Sequence, residues 1–293
     1  MLENLGWSPR DRVLILGAGG WFGRTFSDLI PQKMETLAIA SRVRNDIVTW
    51  DKERVRAFCP TIVANFAFLT PDQMAIHGTS KYRLINTELT QRFISCATMP
   101  MVRAALTVSS GATKSEPNSP YGALKLHEEQ QALDLIRANR SVVVARAYSV
   151  SGVHVRKPHQ YAFSDLITQA LEGNVHISAT FPVFRRYIDA GDYLRTCTTL
   201  LLAGKSGVID SGGELIEINQ LANRIVTSIN PAASITQVKM LTQVASKYAS
   251  DNTSWQTSHE RIGLVPLTLD EQIVLTSDAL RVRGSTNSEV TKD

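Results

Sequence analysis

Tyr121 and Lys125 stand four residues apart in Pro120-Tyr-Gly-Ala-Leu-Lys125. On a helix, residues i and i+4 share a face, so a phenol and an ammonium at this spacing can reach one substrate atom together. A cation beside a phenol favours the phenolate and lowers its pKa, which suits acid/base work near neutral pH. Upstream, Gly17-Ala-Gly-Gly-Trp-Phe-Gly23 follows the apolar run Arg12-Val-Leu-Ile-Leu16. A strand that ends in such a loop and opens into a helix suits a dinucleotide pyrophosphate. Gly17 permits the tight turn, Gly20 lets backbone N–H groups approach the phosphates, and Gly23 lets helix pack on strand. Tyr-x3-Lys alone also describes a surface tyrosine and a solvated lysine; the glycine loop turns the pair towards redox chemistry.

Which dinucleotide is preferred depends on the end of the second strand, where an acidic residue would bind the adenosine ribose of NAD. The segment is Ala40-Ser-Arg-Val-Arg44. It offers no carboxylate, whereas Ser41 and Arg42 could hold a 2'-phosphate, so NADP is the expected cofactor and NAD the alternative. Trp21 and Phe22, inside the glycine loop, are expected to pack against the sheet or the cofactor. His154 and His159 match no metal-ligand spacing, and His127-Glu128-Glu129, just past Lys125, reads as a solvated helix face.

The elements that must position these groups alternate regularly. Apolar segments at Arg12–Leu16, Thr36–Ala40, Thr61–Ala67, Ala104–Ser110 and Ser141–Arg146 read as strands, and Tyr82–Ala97 and Tyr121–Asn139 as helices, with Leu124, Leu133, Leu135 and Ile136 facing a core. Continuous apolar strands between helices imply an α/β fold with a doubly wound parallel sheet. Residues 1–152 are expected to form the dinucleotide-binding domain, residues 153–283 a smaller substrate-binding lobe with some return segments to the sheet, and residues 284–293 a polar, disordered tail.

At 293 residues, with 43% hydrophobic and 20% charged residues, the composition is that of an ordinary globular enzyme. A net charge of +4 from scattered basic residues does not imply nucleic acid. Three well-separated cysteines, Cys59, Cys96 and Cys197, suggest reduced thiols in a cytoplasmic protein. The N-terminus has no basic region leading into an apolar core, and no apolar stretch is long enough to span a membrane.

With both motifs placed, the chain resembles the extended short-chain dehydrogenase/reductases, the group of nucleotide-sugar epimerases, dehydratases and 4-ketoreductases, and so a Rossmann fold with a substrate lobe. The resemblance rests on Gly17-x2-Gly20-x2-Gly23, Trp50-Asp51, Asn65-Phe-Ala67, Asn86, Val108-Ser-Ser110, Tyr121-x3-Lys125, Arg146-Ala-Tyr-Ser-Val-Ser-Gly152, Arg185-Arg-Tyr-Ile-Asp-Ala-Gly-Asp192 and Arg261-Ile-Gly-Leu-Val-Pro266, in the usual order. It implies that Ser110 hydrogen-bonds the reacting carbonyl or hydroxyl, that Tyr121 exchanges its proton, and that Lys125 lowers the tyrosine pKa and binds the nicotinamide ribose. Ser109 stays open for the serine role, since neighbours on a strand face opposite ways. Asp51 would hold the adenine; Phe66, Ala67, Asn86 and Tyr148 would line the cofactor; Ser149 and Arg185 would meet the substrate. A homodimer is the expectation from the same resemblance.

Three departures matter for function. Dehydratase members carry an Asp-Glu pair after the catalytic threonine, whereas Gly111-Ala112 follows Ser110, so water elimination is not expected. Only eleven positions separate Ser110 from Tyr121, fewer than in sugar-nucleotide members. Gly191 also replaces the first of the usual paired aspartates. The expected activity is NADP-dependent reduction of a nucleotide-linked 4-ketohexose. The alternatives are an epimerase with tightly held NAD and a regulatory NAD(P)-binding protein that has lost catalysis.

Overall fold

The computed structural model describes residues 5–40, 43–44, 47–48 and 51–289, and side-chain surroundings outside 41–50 and 284–293. Two compact units emerge. The first comprises Met1–Ala147 with Leu194–Asp210, and the second Tyr148–Tyr193 with Ser211–Asp293.

In the first unit, β1 (Arg12–Leu16) leads through the glycine loop to α1 (Trp21–Ser27) and β2 (Glu35–Ile39). Then follow α2 (Lys52–Phe58), β3 (Ile62–Asn65), α3 (Thr79–Ala97), β4 (Ala104–Ser110), α4 (Pro120–Asp134) and β5 (Ser141–Ala147). A further strand, Gly207–Asp210, completes a six-stranded parallel sheet beside β5; from that edge the order is Gly207–Asp210, β5, β4, β3, β1, β2. Val13–Leu16, Ile62–Ala64 and Ala104–Leu106 are fully buried, as expected when helices cover both faces of a parallel sheet.

The strand order reverses beside β1, because the chain passes to β2 on one side and returns to β3 on the other. Ligands bind at the carboxyl ends of strands at such a switch point. There Gly17, at φ +79°, lies against the end of β3: a Cβ on it would stand 2.6 Å from the Ala67 amide nitrogen. A Cβ on Gly23 would stand 2.3 Å from the Gly17 carbonyl oxygen. Both positions therefore require glycine for close backbone approach.

Helix α4 departs from its sequence reading. Its buried face carries Gly122, Lys125, Glu128, Glu129 and Ala132, whereas Leu124 and Leu133 are half-buried and Ile136 is 37% exposed. The helix also ends at Asp134, followed by a 3-10 turn at Leu135–Ala138 and left-handed Asn139. Leu135 is buried in the core and Leu133 packs against it, as expected; polar partners on the strands beneath, described below, explain why Lys125, Glu128 and Glu129 also face inward.

In the second unit, Val183–Asp189 pairs in parallel with Ser149–Ser151 and Ser246–Tyr248 and antiparallel with Glu214–Glu217. Asn174–Ile177 and Ser234–Gln237 form a second, two-stranded parallel sheet. Phe163, Ile167, Leu221, Ile225 and Ile273, from helices Ala162–Glu172, Ile218–Ile229 and Leu269–Glu289, build its core. The last helix continues to Glu289, through much of the segment read from sequence as a disordered tail. Extending an existing helix needs no new nucleus, and one internal glycine costs only about 1 kcal/mol.

Candidate active site

Ser119 accepts from the Gly122 amide at 2.9 Å and Pro120 follows it, a cap and first-turn pair that fixes where α4 begins. Tyr121 thereby enters the first turn and Lys125 the next. The short connection from Ser110 is a single helical turn, Ala112–Ser115, folded directly onto α4: a Cβ on Gly122 would lie 2.1 Å from the Glu116 carbonyl oxygen.

Ser110 ends β4, and its side chain hydrogen-bonds that of Tyr121. Ser109 faces the other way and donates to Glu129 at 2.6 Å. Of the two serines, Ser110 is the one brought to the tyrosine. The Tyr121 ring meets Phe68 edge-on, with centroids 5.9 Å apart. Lys125 Nζ donates to the Val108 carbonyl at 2.8 Å and to Glu128 at 2.9 Å, and lies 3.7 Å from the centre of the Phe68 ring.

Burial leads the electrostatics at Tyr121. Tyr121 is pushed up, chiefly by burial; the Ser110 hydrogen bond pulls it down, and the charge of Glu128 pushes it up again. The Lys125 ammonium is paired with the Glu128 carboxylate at 2.9 Å.

His127-Glu128-Glu129 is likewise not one solvated face: His127 is exposed, while both glutamates are buried. Glu128 accepts from Asn65, Thr107 and Lys125. Glu129 accepts from Ser109, from Thr113 at 3.2 Å, and from Arg146 at 2.9 and 2.7 Å. Arg146 also donates to Asp210 at 2.8 Å. Burial works against the arginine's charge, but hydrogen bonds and attraction to Glu129, then Asp210, outweigh it and raise its pKa. The available sequence signal was a set of polar residues, Asn65, Thr107, Ser109 and Arg146, interrupting otherwise apolar strands.

The other candidates are distributed as follows. Gly17, Gly20 and Gly23 form the loop at the end of β1, closed by the Gly20 amide donating to the Gly17 carbonyl at 3.0 Å. Trp21 and Phe22 stack on one another at 6.0 Å, and Phe66 packs on Phe26 at 5.2 Å. Asp51 caps α2, accepting from the Arg54 amide at 2.9 Å. Ala67 follows β3, and its amide donates to Asn65 Oδ1 at 3.2 Å. Asn86 is buried and clamps Leu69, accepting from its amide at 2.8 Å and donating to its carbonyl at 3.3 Å; Tyr82 donates to the same carbonyl at 2.9 Å. Ser41 and Arg42 lie outside the described residues.

Tyr148, Ser149 and Arg185 belong to the second unit. There Tyr148 packs on Tyr248 at 5.2 Å, Arg185 lies 5.7 Å from the same ring, and Ser149 stands opposite Tyr187. Arg186 donates to the Gly213 carbonyl at 2.7 Å. His159 lies 2.8 Å from Asp165, an acidic partner the sequence reading did not find. Among the described residues, no group of His, Cys, Asp and Glu could hold a metal ion, and no helix is long and apolar enough to cross a membrane.

The fold is shared with solved structures of low identity. The epimerase Mth375 from Methanothermobacter thermautotrophicus superposes with a TM-score of 0.76 at 15% identity, covering 99% of this chain and 98% of that one. UDP-glucose 4-epimerase from Thermus thermophilus, complexed with NAD, gives 0.71 at 19% identity, covering 92% and 99%. RMD from Pseudomonas aeruginosa, complexed with NADPH, gives 0.71 at 18% identity, covering 93% and 98%. No curated protein sequence matches the chain. The model of the NAD dependent epimerase/dehydratase family matches residues 13–212, which include the glycine loop, Ser110, Tyr121 and Lys125, and the chain belongs to that family of enzymes.

Proposed function

We propose that the protein is an NADP-dependent reductase of a nucleotide-linked 4-ketohexose. The observation that carries this reading is the pairing of Tyr121 with Ser110: the serine at the end of β4 hydrogen-bonds the phenol in the first turn of α4, so the two hydroxyls can meet one carbonyl oxygen. The residues fit a dinucleotide, because the Gly17–Gly23 loop leaves bare backbone at the switch point, in space that a Cβ at Gly17 or Gly23 would close. NADPH, when bound, supplies hydride to the carbonyl carbon. Tyr121 gives its proton to the carbonyl oxygen, Ser110 steadies the negative charge developing there, and Lys125 holds the nicotinamide ribose. Asp51, Phe66, Ala67 and Asn86 support the rest of that site, and Tyr148, Ser149 and Arg185 act in the second unit on cofactor and substrate.

The preference for NADP rests on Ser41 and Arg42 and the missing carboxylate beside them. A nucleotide sugar as substrate agrees with what related folds bind, UDP-glucose in MoeE5 among them. A soluble cytoplasmic homodimer remains part of the proposal.

The test incubates purified protein with NADPH and dTDP-4-keto-6-deoxyglucose and follows NADPH oxidation. Wild type consumes NADPH, Tyr121→Phe is slower by roughly 100- to 10,000-fold, and Arg42→Ala weakens NADPH more than NADH. Protein that retains NAD through purification, consumes no NADPH and interconverts UDP-glucose with its 4-epimer would instead be an epimerase. Absence of both activities with retained cofactor binding would support a regulatory role.

A further inference from the structure

Phe68 follows β3 and touches both side chains of the tyrosine–lysine pair. Its ring meets that of Tyr121 edge-on, with 5.9 Å between centroids and 77° between planes, and its centre lies 3.7 Å from Lys125 Nζ. The ammonium is thus bounded on three sides, by the Phe68 ring, by the Val108 carbonyl at 2.8 Å and by Glu128 at 2.9 Å. A cation over an aromatic face and an edge-on ring pair are both directional contacts, which an aliphatic side chain of similar bulk does not make.

The backbone that carries this ring is fixed on either side of it. Before it, the Ala67 amide donates to Asn65 Oδ1 at 3.2 Å, and Nδ2 of the same asparagine donates to Glu128 at 2.8 Å. After it, the Leu69 amide donates to Asn86 at 2.8 Å, and the Leu69 carbonyl accepts from Asn86 at 3.3 Å and from Tyr82 at 2.9 Å. Asn86 and Tyr82 are both fully buried on α3. With residues 67 and 69 anchored, the ring keeps only its own side-chain torsions, and these are the torsions that the contacts with Tyr121 and Lys125 restrict. Filling space asks only for volume; joining a phenol to an ammonium asks for a ring.

We propose that Phe68 is a positioning residue of the candidate active site: its ring, braced from β3 and α3, holds the Tyr121 phenol and the Lys125 ammonium in their relative places. It takes no part in the proton or hydride steps. The inference rests on the roles proposed above for Tyr121 and Lys125. Their helix spacing brings the two side chains to one face, and Phe68 fixes their rotatable ends against one rigid surface. Misplacement of a reacting group by about 1 Å can cost roughly 100-fold in rate, so the brace acts on turnover while leaving substrate binding alone.

The experiment compares Phe68→Leu, which keeps the apolar bulk without the ring, with Phe68→Tyr, which keeps the ring. NMR of protein enriched in 13C at lysine Cε reads the contact directly, because protons over a ring face are shielded by its circulating π electrons. The Lys125 signal, assigned by its loss in Lys125→Arg, lies upfield of the other lysines in wild type and in Phe68→Tyr, and returns to their range in Phe68→Leu. With NADPH and the keto-sugar, kcat of Phe68→Leu falls roughly tenfold, the size expected from losing one edge-on ring contact and one cation–ring contact. KM for the keto-sugar stays within about twofold, the pattern of a lost transition-state arrangement rather than of lost binding. Phe68→Tyr recovers most of the loss.

A Lys125 signal among the other lysines in wild type, or one unmoved in Phe68→Leu, overturns the proposal. So does a kcat for Phe68→Leu within about twofold of wild type, or an equal loss in Phe68→Tyr. Phe68→Met, which also lacks a ring, replaces the leucine variant if that one does not fold. The catalytic reading fails separately: Tyr121→Phe would then keep its activity, with the Lys125 signal still upfield.

Discussion

Replacing Glu129 by alanine is expected to cost about 3 kcal/mol of stability, the low end of the roughly 3–5 kcal/mol range for breaking a buried ion pair. The reasoning follows its bonds. Glu129 receives two hydrogen bonds from Arg146, one from Ser109 and one from Thr113. After truncation, Arg146 keeps Asp210 as a counter-ion, which limits the penalty for its buried charge. Thr113 keeps its bond to the Ser110 carbonyl at 2.9 Å. Ser109 is left with no acceptor of comparable strength, and a buried hydroxyl without a partner costs about 1–3 kcal/mol. Asp210→Asn should cost much less, under about 1.5 kcal/mol, because its side chain is 24% exposed and its removal leaves Arg146 doubly bonded to Glu129. The assay is urea unfolding of wild type, both single variants, Arg146→Met and the Glu129→Ala/Arg146→Met pair, with two-state behaviour checked by two probes. The double-mutant cycle should return a coupling of about 1–3 kcal/mol. A loss below about 1 kcal/mol for Glu129→Ala, or a larger loss for Asp210→Asn, would refute the argument that Glu129 is the hub.

Gly23→Ala places a methyl 2.3 Å from the Gly17 carbonyl oxygen and 2.8 Å from Ala18 Cα; it is expected to cost about 1–3 kcal/mol and to weaken NADPH binding measurably by titration, since the glycine loop itself must move. Alkaline stability gives a second check. Cys96 is pushed up to about 11, first by burial and with partial relief from Arg92, against an ordinary value of 9.0. It remains a thiol in the native state while the unfolded chain ionises. Its stabilising contribution is therefore complete below about pH 9 and is lost by about pH 11, at up to roughly 1.4 kcal/mol per pH unit. Buried Tyr82 and Tyr187 act in the same direction above about pH 10. Unfolding free energy followed from pH 8 to pH 11 should fall more gently in Cys96→Ala than in wild type.

The fold was legible because its strands are continuous apolar runs, a pattern only a sheet covered on both faces requires. Gly17 and Gly23 were equally legible, since each marks a backbone approach too close for a side chain. Helix α4 was not. A glutamate in a water-facing turn and a glutamate beneath a strand end are the same letter, and the partners that distinguish them lie far off in sequence: Asn65 is 63 residues from Glu128, and Arg146 is 17 from Glu129. Leu133 and Leu135 do reach the core, but the first turns of α4 pack over Asn65, Thr107, Ser109 and Arg146, so charged residues are buried there. Asn86 also holds both the amide and the carbonyl of Leu69, a contact no local pattern could have announced.

The same distinction bears on what the Tyr121 and Lys125 spacing means. Four residues of helix bring the two side chains to one face, but the charge that matters at the phenol is the sum of everything around it. Around Tyr121 burial leads that sum, with the Ser110 hydrogen bond and the charge of Glu128 acting in opposite senses. The lysine is placed by groups outside the motif: Glu128 holds its ammonium at 2.9 Å, while Asn65 and Thr107, opposite one another on neighbouring strands, hold the carboxylate. The helix spacing thus names the two partners, and the strand ends beneath set where the second one stands.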